Sequence, residues 1–160
     1  YMRMLGRVGM ERVSDFAVLN ANYVLVRLRD AGFDVTFVER RASHEFVVSL
    51  KQLSRDTGVS AMDFAKALLD KGFHAPTTYF PLLVPECLLI EPTESESRRS
   101  LDLFVDAMVS IRDQAYADAE IVKAAPLTMP VKRLDDVRAA KQPDLVWRPN
   151  RDSKSAAASD

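Results

Sequence analysis

Residues 72–96, GFHAPTTYFPLLVPECLLIEPTESE, combine a helix stop, two apolar runs and an acidic segment within one short span. Gly72 is suited to ending a helix, because glycine adopts the left-handed conformation without steric cost. The apolar runs 80–84 and 87–90 flank Pro85-Glu86, which predicts a β-hairpin. Prolines place the first run at a sheet edge, and the non-alternating second run predicts a strand buried on both faces.

On the N-terminal side, helical spacing of apolar residues predicts a long helix over 8–31. Its apolar face is predicted to consist of Phe16, Leu19, Tyr23 and Val26. Val18, Leu25 and Leu28 widen this face, so the helix is expected to pack against more than one neighbour. Alternating apolar residues predict strands over 33–37 and 46–50. The connection between them is too short for a parallel crossover, so the two strands are expected to pair antiparallel.

Further helices are predicted around and after the opening span. Ser60 and Asp63 have the spacing of a helix cap at the start of a helix over 60–71. Thr93 and Glu96 suggest a capping box before a helix that extends to residue 116, and a short helix is expected over 134–140. This order of elements predicts an α+β fold, a small antiparallel sheet with helices packed mainly on one face.

Composition is that of one ordinary globular domain. The 160 residues include 22 basic and 23 acidic side chains, a net charge of −1, which gives no reason to expect nucleic acid or an anionic membrane as a partner. No apolar run approaches the length of a membrane span, and the single Cys87 excludes a disulfide framework. A cytoplasmic protein is expected. Because residue 1 is Tyr, we also expect a piece of a longer protein.

Chemically useful residues cluster in the opening span. His74 precedes Ala75-Pro76-Thr77, and its ring is expected either to cap the preceding helix or to contact an anionic ligand. Glu91 ends a buried strand and is the carboxylate most suited to a poised role, whereas Glu94 and Glu96 fit the start of a helix. No phosphate loop, activated nucleophile or metal-ligand spacing is present in the sequence.

Three segments carry a family resemblance. The run 1–28, YMRMLGRVGMERVSDFAVLNANYVLVRL, resembles the entry to the C-terminal domain of the glycine cleavage P-protein, glycine dehydrogenase (decarboxylating). GFHAPTTYFPLLVPECLLIEPTESES resembles the most characteristic signature of that domain. VKRLDDVRAAKQPDLVWRP is similar to the tail of subunit 2 of the bacterial two-subunit form. The resemblance covers 1–149, and the polar residues 150–160 are expected to form a flexible tail.

The resemblance implies the small C-terminal domain of a fold-type I enzyme that uses pyridoxal phosphate (PLP). Such an enzyme releases CO2 from glycine and transfers the aminomethyl group to the lipoyl arm of H-protein. The implied partners are subunit 1, lipoylated H-protein and the large domain of the same subunit. The cofactor-binding lysine lies in that large domain, so this chain is expected to hold no cofactor and to be inactive alone. The residues implied to line the site or its access channel are His74, Ala75, Pro76, Thr77, Glu91, Thr93, Glu94 and Arg3.

Two alternatives remain open from the residues alone. A non-catalytic α+β interaction or regulatory module has the same order of elements, but it has no need for the HAPT and EPTESES segments. The small domain of another fold-type I enzyme, such as an aminotransferase, would usually carry an arginine for the substrate carboxylate. Residues 72–96 contain no arginine.

Overall fold

The computed structural model describes residues 1–146, which form one four-stranded antiparallel sheet with helices packed against it. The strands are β1 (Asp34–Val35), β2 (Phe46–Ser49), β3 (Thr77–Thr78) and β4 (Cys87–Ile90). The helices of residues 1–146 are α1 (Met2–Asp30), α2 (Lys51–Thr57), α3 (Ala61–Asp70), α4 (Arg98–Ala117), α5 (Ala119–Lys123) and α6 (Asp136–Lys141). The predicted α+β class is therefore confirmed.

The core lies on one face of the sheet. The strand order is β1-β2-β4-β3, and the central pair aligns Phe46 with Ile90 and Val48 with Leu88. Because side chains alternate along a strand, these four residues share one face. Five of the helices, α1 to α5, contribute to the same core, including the buried side chains Val24, Leu28, Leu53, Phe64, Leu68, Met108, Ile111 and Val122.

The opposite face is covered at one end by the segment that precedes β4. Ser49 donates its hydroxyl to the Pro85 carbonyl at 3.0 Å, and the Leu50 amide donates to the Glu86 carbonyl at 2.7 Å. The Cys87 thiol lies 3.6 Å from the Pro81 carbonyl and is fully buried, and burial raises its pKa. Cys87 is thus a packing residue beneath a loop.

Helix α3 confirms its sequence prediction closely. The Ser60 hydroxyl accepts from the Asp63 amide, and the Asp63 carboxylate accepts in turn from the Ser60 amide. Val59 and Phe64, on either side of this cap, are both fully buried. The helix is followed by Gly72 at φ +83°, the left-handed conformation that a glycine at this position predicts.

The predicted apolar face of α1 is only partly confirmed, because Leu25 and Leu28 are buried but the main row is not. The helix begins at Met2 rather than at residue 8, with a kink at Gly6, and it buries Asn20, Ala21, Val24, Leu25 and Leu28. The predicted row of Phe16, Leu19 and Val26 is exposed, and Tyr23 is half-buried. Helical spacing identified a real apolar row, but the domain packs the opposite side of the helix.

The predicted hairpin is also wrong. On its outer side β4 pairs with β3, with Thr77 opposite Leu89, and residues 80–84 form a loop rather than a strand. Pro81 and Pro85 lack the amide hydrogen that pairing needs, and Leu82 and Leu83 are almost fully exposed. Edge position is preserved, because β3 is the edge strand.

The ends of several helices and strands also differ from those predicted. The N-cap residue of α4 is Ser97, so the predicted capping box at Thr93 is wrong. The predicted end of this helix near residue 116 is confirmed. Strand β1 stops at Val35, before Phe37, which takes φ +60°. Helix α2 was not predicted from the sequence. Helix α6 lies close to the predicted 134–140. The predicted tail 150–160 lies outside the described residues.

Candidate functional site

A cleft of about 410 Å³ opens where the C-terminal end of β4 approaches the start of α4. Its polar rim consists of His74, Thr77, Glu91, Thr93, Glu96 and Ser100. Its apolar lining consists of Val24, Phe73, Ala75, Pro76, Leu89, Ile90, Pro92, Leu101 and Phe104. An apolar floor with a few polar groups at the rim is typical of ligand sites in proteins.

One wall is the segment between α3 and β3. The Gly72 amide donates to Leu69 and the Phe73 amide to Leu68, so backbone groups satisfy the last carbonyls of α3. The ring of Phe73 packs edge-on against Phe104 at 5.5 Å and anchors this wall to α4. His74 follows directly and is exposed.

His74 therefore does not cap α3. The helix end is closed by the backbone amides that follow Gly72, and the imidazole makes no hydrogen bond to the carbonyls of α3. The capping interpretation of His74 is wrong for this reason. Its ring, which can both donate and accept, is left facing the cleft rim.

The opposite wall is the EPTESE segment, and a buried amide on α1 holds it in place. Asn20 donates its Nδ2 to the Thr93 carbonyl at 2.8 Å and to the Glu96 carbonyl at 3.4 Å. A turn between Thr93 and Glu96, with an amide–carbonyl distance of 3.2 Å, completes the segment. Asn20 is buried and lies more than 70 residues before this wall in the sequence, yet its hydrogen bonds fix the position of the wall.

The outer side of the same segment is tied to the N-terminus. The Tyr1 hydroxyl donates to the Glu94 carboxylate. This hydrogen bond lowers the pKa of Glu94 and raises the pKa of the Tyr1 phenol. Glu94 is therefore held as a carboxylate by Tyr1, and it is not among the residues that line the cleft.

The start of α4 supplies the third side. The Ser97 hydroxyl accepts from the Ser100 amide at 3.1 Å and caps the helix. This cap places Ser100, Leu101 and Phe104 along the cleft. This third side follows directly from the EPTESE segment, because Ser97 joins that segment to α4.

The structure brings together six of the eight residues expected at the site. His74, Ala75, Pro76, Thr77, Glu91 and Thr93 all line the cleft. Glu94 lies behind the wall, and Arg3 is exposed in the first turn of α1, outside the lining. Their functional role stays a prediction.

Sequence reasoning missed several residues of the cleft. Phe73, Ser100 and Phe104 line it, and Asn20 supports it from α1. Ser100 and Phe104 lie in the predicted helix after the signature, and only Phe73, which stands beside His74, had a local signal. Nothing near Asn20 in the sequence connects it with residues 93 and 96.

The titratable groups at the rim are one imidazole and two carboxylates, from His74, Glu91 and Glu96. The lining contains no lysine, so this cleft supplies no amine for a Schiff base. Within residues 1–146, no three His, Cys, Asp or Glu side chains are grouped to hold a metal ion. None of the helices in that part of the chain is both long enough and apolar enough to traverse a bilayer. The cleft can bind and orient a ligand through hydrogen bonds and apolar contact.

The structure thus shows a small α+β domain with a cleft between the end of β4 and the start of α4. The family model described as "Glycine dehydrogenase, C-terminal domain" matches residues 13–130. The chain belongs to this family, as its resemblance implied.

Two curated relatives illustrate the match. The "Probable glycine dehydrogenase (decarboxylating) subunit 2" of Thiobacillus denitrificans is 64% identical over 149 residues, which cover 93% of this chain and 31% of the relative. The protein of the same name from Thioalkalivibrio sulfidiphilus is 62% identical, with 93% and 30% covered. This chain therefore spans about a third of the length of the relatives it matches.

Proposed function

We propose that this chain is the C-terminal domain of a PLP-dependent glycine decarboxylase, which releases CO2 from glycine and transfers the aminomethyl group to the lipoyl arm of H-protein. The observation that carries the proposal is the cleft. Most of its lining comes from 73–77 and 89–96, the segments that carry the resemblance, inside the part that the family model matches. The printed names of the relatives support the decarboxylating activity.

The cleft does not by itself suit PLP. Covalent attachment needs a lysine, and a phosphate group favours cationic or amide donors, whereas the rim offers two carboxylates and one imidazole. We therefore derive no chemical step through the cofactor from these residues. We place the cofactor, and the lysine that holds it, in the part of the subunit that precedes this domain in the relatives.

The role we assign to this domain is positioning and exclusion of water. Its apolar floor removes water from one side of a site, which strengthens polar interactions within it. His74 and Thr77 on one wall, with Glu91 and Thr93 on the other, can orient a bound group by hydrogen bonds. Glu94 and Arg3 would act at the margin, since neither lines the cleft.

The proposed partners follow from the family. They are subunit 1, lipoylated H-protein and the large domain of the same subunit, and the proposed compartment is the cytoplasm. The name "subunit 2" of the relatives supports a partner subunit.

The test is reconstitution of the full-length subunit with subunit 1, PLP, glycine and lipoylated H-protein. CO2 release is compared for wild type, His74→Ala and the control His44→Ala. His44 is the other histidine of the chain and lies exposed in the loop before β2. Loss of a positioning contact should lower kcat/KM at least about tenfold for His74→Ala, equivalent to about 1.4 kcal/mol of transition-state stabilisation.

Each outcome bears on a different part of the proposal. His44→Ala should retain wild-type activity. Unchanged activity of a folded His74→Ala variant would remove His74 from the site and leave the domain as scaffold. An inactive wild-type complex would overturn the assigned reaction.

A further inference from the structure

Helix α1 carries two apolar rows on different sides. The inner row, which includes Val24, Leu25 and Leu28, is buried in the domain core. The outer row consists of Phe16, Leu19, Tyr23 and Val26. Phe16, Leu19 and Val26 are 49%, 61% and 39% exposed, whereas most leucine and phenylalanine side chains at a folded surface are isolated from one another.

The outer row has the spacing of a helix-packing surface. Its members are separated by three, four and three residues, which places them in one straight stripe along the helix. From Phe16 to Val26 the stripe is about 15 Å long, at about 1.5 Å per residue. Side chains at this spacing interdigitate with a second helix that crosses at about 20°. Arg12, which is exposed, continues the stripe toward the N-terminus.

We propose that this stripe is the docking surface for one α-helix from the remainder of the same subunit. The proposal rests on the proposed function, in which this chain is one domain of a longer subunit. The partner helix would carry its own apolar stripe at three- and four-residue spacing. It would also carry a carboxylate where it passes the Arg12 guanidinium.

A tethered partner suits this surface better than a second copy. Phe16, Leu19 and Val26 offer at most a few hundred Å², roughly, because Tyr23 packs against the domain's own core and its hydroxyl donates to Asp102. Stable complexes bury about 800 Å² on each partner. A covalently linked helix needs less area because its effective concentration is about millimolar. The curated relatives have room for such a helix, since this chain matches only 31% of the length of one and 30% of another.

The test measures the accessibility of a thiol placed in the stripe. Leu19→Cys is prepared in this chain alone and in the full-length subunit 2, and its alkylation rate is followed by peptide mass spectrometry. Phe16→Cys provides a second position. Leu103→Cys is the control, because Leu103 lies at mid-helix on α4 and is 49% exposed. Alkylation at residue 19 should be at least about tenfold slower in the full-length subunit than in the isolated chain, relative to the control.

Three results would overturn the proposal. Equal relative rates at residues 16 and 19 in both proteins would show that no helix covers the stripe. Protection in the isolated chain that increases with its concentration would assign the surface to a second copy. Protection that develops only after subunit 1 is added would assign it to another chain. The readout does not depend on turnover, so an inactive complex would count against the proposed function without changing this result.

Discussion

Asn20 and Ser49 are the buried polar residues of the described part of the chain, and each ties a loop to the sheet or its covering helix. Asn20 uses its amide to hold the carbonyls of Thr93 and Glu96. An unsatisfied buried amide would be costly, so the side chain and the loop stabilise one another.

Replacing Asn20 with Ala should lower the free energy of unfolding by about 1–3 kcal/mol. Urea titration measures this loss, and amide hydrogen exchange should accelerate over residues 92–97. Asn22→Ala is a matched control on the same helix, because Asn22 instead exchanges hydrogen bonds with the backbone of Ala42. Its effect on exchange should be confined to the loop near residue 42. Unchanged exchange over 92–97 in Asn20→Ala would refute this role.

Gly72 turns the chain toward the cleft in the left-handed conformation. An added Cβ would meet open space there, so the positive φ alone determines the cost of substitution. Gly72→Ala should destabilise the protein by about 1 kcal/mol, and Gly72→Asn by less, because asparagine tolerates this conformation. Thermal unfolding of the two variants gives the comparison. Equal stability of wild type and the alanine variant would contradict the argument.

At the scale of elements, the sequence predicted best where the signals were local. The cap of α3 and its following Gly72 lie within a few residues of the helix they bound, and both are confirmed. The pairing of β4 could not be predicted in the same way. Its partners are β3, ten residues earlier, and β2, about forty residues earlier, and the nearest apolar run, 80–84, is a loop.

The outer row of α1 shows a second limit. Periodicity reveals an apolar stripe but cannot tell whether the covering surface belongs to the same domain. The cleft shares this limit. Its HAPT wall was visible in the sequence, whereas the Asn20 support and the Phe73–Phe104 contact depend on packing between distant segments.

The two candidate caps before α4 give a direct test of one corrected prediction. The Ser97 hydroxyl, not that of Thr93, caps the helix, and it accepts from the Ser100 amide. Ser97→Ala should therefore lower the free energy of unfolding by about 0.5–2 kcal/mol, whereas Thr93→Ala should remain within about 0.5 kcal/mol of wild type. Denaturant titration of both variants distinguishes them. A larger loss for Thr93→Ala would restore the original capping box.

At the scale of the whole molecule, two carboxylates of α3 fasten the segment that follows α5. The Arg133 guanidinium lies 2.7 Å from the Asp63 carboxylate. Asp70 accepts from the amides of Leu127 and Thr128, at 2.6 and 2.8 Å, and from the Thr128 hydroxyl. The segment 125–133 is thereby held along the outside of α3, and both contacts are stronger when the carboxylates are charged.

Because of these contacts, part of the free energy of unfolding is lost at acid pH. Burial acts to raise the pKa of Asp70, but the hydrogen bonds from Thr128 and Leu127 outweigh it and leave the pKa below its ordinary value. Asp63 follows the same pattern: burial acts to raise its pKa, but the bonds from Ser60 and Arg133 outweigh it and leave the pKa below its ordinary value. A carboxylate with a depressed pKa stabilises the fold above its unfolded value of about 3.9, and this contribution is lost as the pH falls through the folded pKa.

Asp70→Asn should therefore unfold at a lower temperature than wild type at pH 7, and the difference should shrink between about pH 5 and pH 3. Protonation removes from the wild type the same interaction that the substitution removes at every pH. Thermal unfolding across this range measures both curves. Asp34→Asn, at an exposed position in β1, serves as control and should run parallel to wild type. A constant separation between Asp70→Asn and wild type from pH 7 to pH 3 would show that the charge of Asp70 does not hold the segment.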